Sequence, residues 1–184
     1  NQILDIATGT ADLAIMEAKH LKTKVVGVDI SEEMLKFGNE KVSRNKLDHL
    51  ISLKLADAES LPFENCSFDA CTVAFGVRNF SNLTIGLKEI YRVLKINSPL
   101  VILEFSNPES FPIKQLYGFY FKKILPKIGK FISKNSDAYI YLPDSVSKFP
   151  TPKEFCEILK GIGFTKVGYK KNTFGISTMY FAIK

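Results

Sequence analysis

The first thirty residues form a unit that few folds accommodate. An apolar stretch carrying Ile3, Leu4 and Ile6 runs into a turn of small residues, Ala7-Thr8-Gly9-Thr10-Ala11, and then into an amphipathic segment that starts at Asp12. A second apolar stretch, Val25-Val26-Gly27-Val28, follows and ends on Asp29. Strand, tight turn, helix, strand and terminal acid describe a nucleoside-binding βαβ unit. The turn lets a polar ligand chain approach the backbone, and the acid accepts ribose hydroxyls.

A dinucleotide-binding turn would read Gly-x-Gly-x-x-Gly. Here the small positions are Ala7, Gly9 and Ala11, which fit the Glu/Asp-x-Gly-x-Gly-x-Gly loop of S-adenosylmethionine (SAM) methyltransferases with alanine at the outer places. Alanine costs little there provided the backbone avoids positive φ. Asp5, at the end of the first strand, suits an aminoacyl ammonium and would repel a pyrophosphate. A strand-to-helix turn without a ligand is the alternative at this stage. Ile51, Leu53 and Leu55 then alternate as a third strand that ends in Asp57-Ala58-Glu59. In SAM methyltransferases, whose loop this resembles, that segment lies along the adenine edge, where a carboxylate can accept from the exocyclic amine. Phe68 to Phe75 reads as a buried fourth strand, preceded by the loop Leu61-Pro62-Phe63. A lone acid at a strand end often only caps the next helix. Asp5, Asp29 and Asp57 stand at three successive strand ends.

With 184 residues and 46% apolar content, the chain is long enough for one domain with a substantial core. The pattern predicts helices near 11–20, 32–45, 83–95 and 152–162 and strands near 2–6, 24–29, 50–56, 68–75 and 99–105. Such alternation specifies an α/β fold with a parallel sheet covered on both faces. The clearest helix start is Thr151-Pro152-Lys153-Glu154: a capping threonine, proline at the first helical position, and glutamate three residues after the cap. The chain then predicts a terminal hairpin, 164–170 and 175–183 around Lys171-Asn172, with the last strand antiparallel. That ending fits the class I SAM-dependent methyltransferase (Rossmann-like) fold, whereas a plain dinucleotide fold continues strand–helix–strand. Cys66, Cys71 and Cys156 form no paired framework, and with only His20 and His49 they supply no metal cluster. Without a signal peptide or an apolar run near twenty residues, the expectation is a cytosolic protein. The sequence opens on its first core strand, so the expectation is one domain over 1–184 that lacks an N-terminal helical segment.

Two segments bear on the methyl acceptor. Phe75-Gly76-Val77-Arg78-Asn79-Phe80 follows the fourth strand, where side chains face the reacting group. Arg78 and Asn79 offer fixed donors to an oxygen-bearing ring; the other reading is that they tie down a loop. Residues 110–136 hold six lysines (Lys114, Lys122, Lys123, Lys127, Lys130, Lys134) and no Asp or Glu, interleaved with aromatic residues, in a chain of net charge +6. Such a stretch suits an anionic bilayer, nucleic acid, or a solvated helix face.

Several segments resemble the ubiquinone/menaquinone biosynthesis C-methyltransferases: Asp-x-Ala-x-Gly-Thr-x-Asp-Leu from Asp5, Asp57 to Phe63, Phe75 to Asn79, Tyr91-Arg92-Val93-Leu94-Lys95, Leu103-Glu104-Phe105-Ser106, Leu125 to Gly129, and Tyr139 to Ser145. The resemblance spans nearly the whole chain, and its motifs serve both quinone branches. It implies SAM-dependent methylation of a polyprenylated quinol ring carbon, with demethylmenaquinol becoming menaquinol as the favoured case. The cofactor contacts fall at Asp5, Ala7, Gly9, Thr10, Asp29, Ile30, Asp57, Ala58 and Ala74. Ala74 stands where the family often has serine, and Thr8-Gly9-Thr10-Ala11 replaces Gly-Gly-Thr-Gly. Arg78 and Asn79 are expected to hold the quinol oxygen, with Tyr139, Tyr141 and Asp144 lining the acceptor pocket or relaying the proton. Arg78 stays protonated and is not itself the base. The 107–149 insertion is expected to cover the acceptor site and to bring the protein to the inner face of the cytoplasmic membrane, with a homodimer left open. A nucleic-acid base methyltransferase would carry an Asn/Asp-Pro-Pro-Tyr/Phe turn after strand four, which Phe75-Gly76-Val77-Arg78 lacks. A small-molecule O- or N-methyltransferase and a non-catalytic SAM-binding scaffold complete the alternatives.

Overall fold

A computed structural model of the chain describes residues 1–108, 111–112, 115, 117–118 and 144–184. Its strands are β1 (Gln2–Ile6), β2 (Lys24–Asp29), β3 (Ile51–Leu55), β4 (Ala70–Ala74), β5 (Pro99–Phe105), β6 (Thr165–Asn172) and β7 (Ser177–Ile183). The helices are α1 (Asp12–Leu21), α2 (Glu32–Arg44), α3 (Leu83–Val93) and, after the largely undescribed insertion, α4 (Pro152–Ile162). Every expected element is present within two residues of its expected bounds. One seven-stranded sheet runs β3-β2-β1-β4-β5-β7-β6. The first five strands are parallel, and β7 pairs antiparallel with both β5 and β6.

The apolar runs of β1 and β2 are long because both sheet faces are covered. Ile3 and Val25 face a core shared with Ala14, Ile15 and Ala18 of α1 and Val42 of α2. Leu4, Ile6, Val26 and Val28 face the opposite core, with Leu87 and Ile90 of α3 and Phe155 and Leu159 of α4. Leu55, expected on the buried side of β3, is 59% exposed because β3 is an edge strand. Asp5 lies beside Thr72 in the β1–β4 register, and Glu104 beside Thr178 in the β5–β7 register. The sheet therefore buries two acids near its carboxyl edge. No helix among the described residues is long and apolar enough to cross a membrane.

The hairpin turns two residues later than the pattern predicts. β6 continues through Asn172, which pairs with Ser177, and the turn occupies Thr173–Ile176. Ser106 sets this position: its N–H donates to Ile176 O at 2.9 Å and its hydroxyl to Gly175 O at 2.9 Å. The capping box of α4 forms as expected. Thr151 Oγ1 accepts from Glu154 N, and Glu154 Oε2 accepts from Thr151 N at 2.8 Å. Thr151→Ala is expected to lower stability by about 1 kcal/mol, read as a shift of the urea midpoint at unchanged slope.

Candidate active site

The loop after β1 is left-handed at all three small positions: φ is 54° at Ala7, 55° at Gly9 and 62° at Ala11. The condition under which alanine would cost little is therefore not met. Each alanine carries a backbone penalty of about 1–2 kcal/mol. Packing accounts for both. Ala11 is fully buried against α1. The Ala7 methyl fills the space over Gly76, where an added Cβ would lie 2.4 Å from Ala7 Cβ. Gly76 has φ −110°, open to any residue, so its need for glycine is steric. A Cβ at Gly9 would meet nothing within 4 Å, so the loop is open to a ligand there.

Asp29 fixes this loop. Its Oδ2 accepts Gly9 N–H at 2.8 Å and its Oδ1 accepts Ser31 N–H at 2.9 Å. Each oxygen keeps a further lone pair for a ribose hydroxyl. The first turn of α1 has no side-chain cap, so its amide groups can receive a carboxylate. Asp57 is exposed at the end of β3; its Oδ1 accepts Glu59 N–H at 2.8 Å, while Glu59 Oε1 accepts Asn82 N–H at 2.7 Å.

These groups border a cleft of about 440 Å³, within the roughly 300–1,000 Å³ typical of small-ligand sites. Of the residues named from sequence, the cleft wall brings together Ala7, Gly9, Asp29, Ile30, Asp57, Ala58 and Asn79. It includes Phe75 and Phe80 of the turn after β4, and adds Ser31, Met34 and Ser81, which motif reading missed. Met34, an exposed apolar side chain in the first turn of α2 outside its buried Leu35-Gly38-Val42 stripe, was the available signal.

Asp5, Thr10 and Ala74 lie outside that wall. Asp5 is 1% exposed and braces the loop from behind, accepting from Thr8 Oγ1 at 2.6 Å and Thr72 Oγ1 at 3.5 Å. Direct contact with an ammonium, as expected from sequence, is not its placement. Burial pushes its carboxyl up to about 7, against the lowering effect of the Thr8 bond. Glu17 of α1 is also buried, with one carboxyl oxygen unpartnered among the described residues and its pKa raised by desolvation. The Thr10 hydroxyl donates to Asp12 and accepts from Lys41 Nζ, both at 2.8 Å, tying the loop to α2. Ala74 is half-buried at the end of β4.

The acceptor-side pair is split. Asn79 faces the cofactor cleft, while Arg78 turns away from it. Arg78 Nη1 bonds Phe75 O and Glu104 Oε1, the latter at 2.7 Å, and Arg78 N donates to Glu104 Oε2 at 3.2 Å. Glu104 is fully buried, and the Arg78 guanidinium lies 5.3 Å from the Phe105 ring centroid. Its Nε is buried without a hydrogen-bond partner among the described residues. Arg78 lines a second cleft of about 350 Å³ with Asp144, and the two clefts share Phe80 and Ser81. Asp144 is paired with Lys148 at 2.7 Å. Tyr139, Tyr141 and the six lysines of 110–136 lie outside the described residues. Arg92, of the Tyr91–Lys95 motif, is structural: it donates to Leu61 O, Phe63 O and Glu89, and so clamps the Leu61-Pro62-Phe63 loop.

The model of the ubiE/COQ5 methyltransferase family matches residues 1–184. The chain belongs to that family. It is a SAM-dependent C-methyltransferase, and the cleft residues fit that cofactor: a ribose acid, an open glycine and an uncapped helix start. Among similar proteins, the demethylmenaquinone methyltransferase of Porphyromonas gingivalis is 44% identical over 184 residues, covering 99% of this chain and 75% of that protein. The ubiquinone/menaquinone biosynthesis C-methyltransferase UbiE of Geotalea uraniireducens is 46% identical over 181 residues, covering 97% of this chain and 77% of that protein. A SAM-dependent methyltransferase from Aquifex aeolicus shares the fold, with a TM-score of 0.70 and 20% identity over 99% of this chain and 81% of that one.

Gly76→Ala is expected to cost about 1–3 kcal/mol through overpacking against Ala7. Adding Ala7→Gly should recover most of it, so a double-mutant cycle should give a coupling above about 1 kcal/mol. Because the folded state holds the Asp5 proton more tightly than the unfolded chain, the Asp5 contribution is fully present below about pH 4. It declines as pH rises toward 7. Asp5→Asn should therefore be more stable than the parent at pH 8 by on the order of 3 kcal/mol, with the gain shrinking toward zero near pH 4 in urea titrations.

Proposed function

We propose that the protein methylates a ring carbon of a polyprenylated quinol, converting demethylmenaquinol to menaquinol. The observation that carries this reading is similarity to relatives of that name over essentially the whole chain, acceptor-side turn included. Bound SAM supplies an electrophilic methyl on its sulfonium. Asp29 would hold the ribose hydroxyls, Asp57 would accept from the adenine amine, and the Ala7–Gly9 backbone would receive the aminoacyl chain. Thr10, Asp5 and Ala74 support these contacts from behind.

Loss of a quinol O–H proton pushes charge onto the adjacent ring carbon. That carbon forms the new C–C bond as the methyl–sulfur bond breaks, the electron pair staying on sulfur as a neutral thioether; it then releases its own proton, and the quinolate oxygen is reprotonated. Asn79, on the cofactor cleft, donates to the quinol oxygen as charge builds there. Arg78, locked to Glu104, places its positive charge behind the same turn and fixes the Phe75 carbonyl. The base is drawn from Asp144, Tyr139 and Tyr141, with Asp144 bordering the cleft beside Arg78. The 107–149 insertion closes over the acceptor and, through its lysines, holds the protein at the anionic inner face of the membrane.

The test is methyl transfer from labelled SAM to reduced demethylmenaquinone or its benzoquinol counterpart in detergent, followed by mass spectrometry. Label on a ring carbon of the naphthoquinol is the expected result; label on oxygen, or none with SAM bound, would overturn the assignment. Asn79→Ala should lower kcat about 100- to 1,000-fold while leaving the Kd for SAM within a few-fold. Arg78→Ala is a poorer probe, since stranding buried Glu104 costs about 3–5 kcal/mol.

A further inference from the structure

The turn that closes the β6–β7 hairpin holds a phenyl ring in water at a conformational cost. Phe174 is 79% exposed. Thr173 and Phe174 are both left-handed, with φ of 47° and 56°, in a turn where neither is glycine or asparagine. The sheet imposes this shape: Ser106 anchors Gly175 and Ile176, and its hydroxyl meets buried Thr178 Oγ1 at 2.8 Å. The ring is therefore presented on a fixed mount.

Two adjacent lysines precede the ring in β6, within residues 158–184, a stretch that holds no Asp or Glu. Lys170 and Lys171, next to the turn, are exposed. Because β7 runs antiparallel to β5, with Ser177 beside Phe105, the turn stands at the carboxyl edge of β5, the edge that carries the cofactor cleft. A convex, rigid aromatic tip beside lysines matches a fluid, insertable, anionic surface.

We propose that the Thr173–Ile176 turn docks on an anionic lipid bilayer, with Phe174 inserted at the headgroup–acyl boundary and Lys170 and Lys171 against the phosphates. This rests on the reading that the acceptor has a polyprenyl tail, since docking there would turn the catalytic edge toward the lipid that holds the tail.

Binding is measured on phosphatidylglycerol–phosphatidylcholine vesicles that contain no quinol, so that docking and turnover are read separately. Phe174→Ala should weaken partitioning about tenfold. Lys170→Gln with Lys171→Gln should weaken it roughly twentyfold, and high salt should abolish it. In Phe174→Trp, emission should shift to the blue on vesicles and be quenched by brominated acyl chains. Vesicle binding with unshifted, unquenched tryptophan, wild-type partitioning of Phe174→Ala, or no binding at low salt would each overturn the proposal. Methylation of a short-chain, water-soluble quinol should be unaffected by Phe174→Ala. Docking without methylation of any quinol would sink the acceptor assignment and leave the turn's role standing.

Discussion

The Asp29 carboxylate accepts Gly9 N–H on one oxygen and Ser31 N–H on the other, tying the left-handed loop after β1 to the end of β2. Without this tether the loop would have little reason to keep three residues at positive φ, two of them alanines. The same atoms that brace the loop are those offered to a ribose. Structural and cofactor-binding roles thus share one side chain, and the bonds that shape the cleft come from the chain itself. Preorganisation of this kind spares the ordering cost that a mobile loop would impose on binding.

The acceptor side is organised by a second buried carboxylate. Glu104 interrupts the apolar run of β5 and receives both the backbone amide and the guanidinium of Arg78. An ion pair so deeply buried contributes little net stability. Its effect is geometric, since it fixes the Phe75–Phe80 turn so that Asn79 meets the cofactor cleft and Arg78 does not.

Much of this was legible in the sequence, and the gaps have physical causes. Strand and helix positions follow from apolar periodicity and from local signals such as the Thr151–Glu154 box, which act over a few residues. Asp29, Asp57 and Gly9 were legible because position at a strand end decides their exposure. The split between Arg78 and Asn79 was not, because it depends on Glu104, on another strand. Its signal was present: an acid within Val101-Ile102-Leu103-Glu104-Phe105 needs a buried partner. The depth of Asp5 and of Glu17, an acid on the buried face of α1, depends in the same way on helix packing over the sheet. The late hairpin turn follows from Ser106, which no local turn rule includes.

The contact between Ala7 and Gly76 joins the loops after β1 and β4 through one methyl group. The requirement for a small side chain belongs to the pair, and either partner can satisfy it. Surveyed one position at a time, Gly76 would look immutable and Ala7 unremarkable. Their tolerances are epistatic: glycine at the first position would open the second to a side chain.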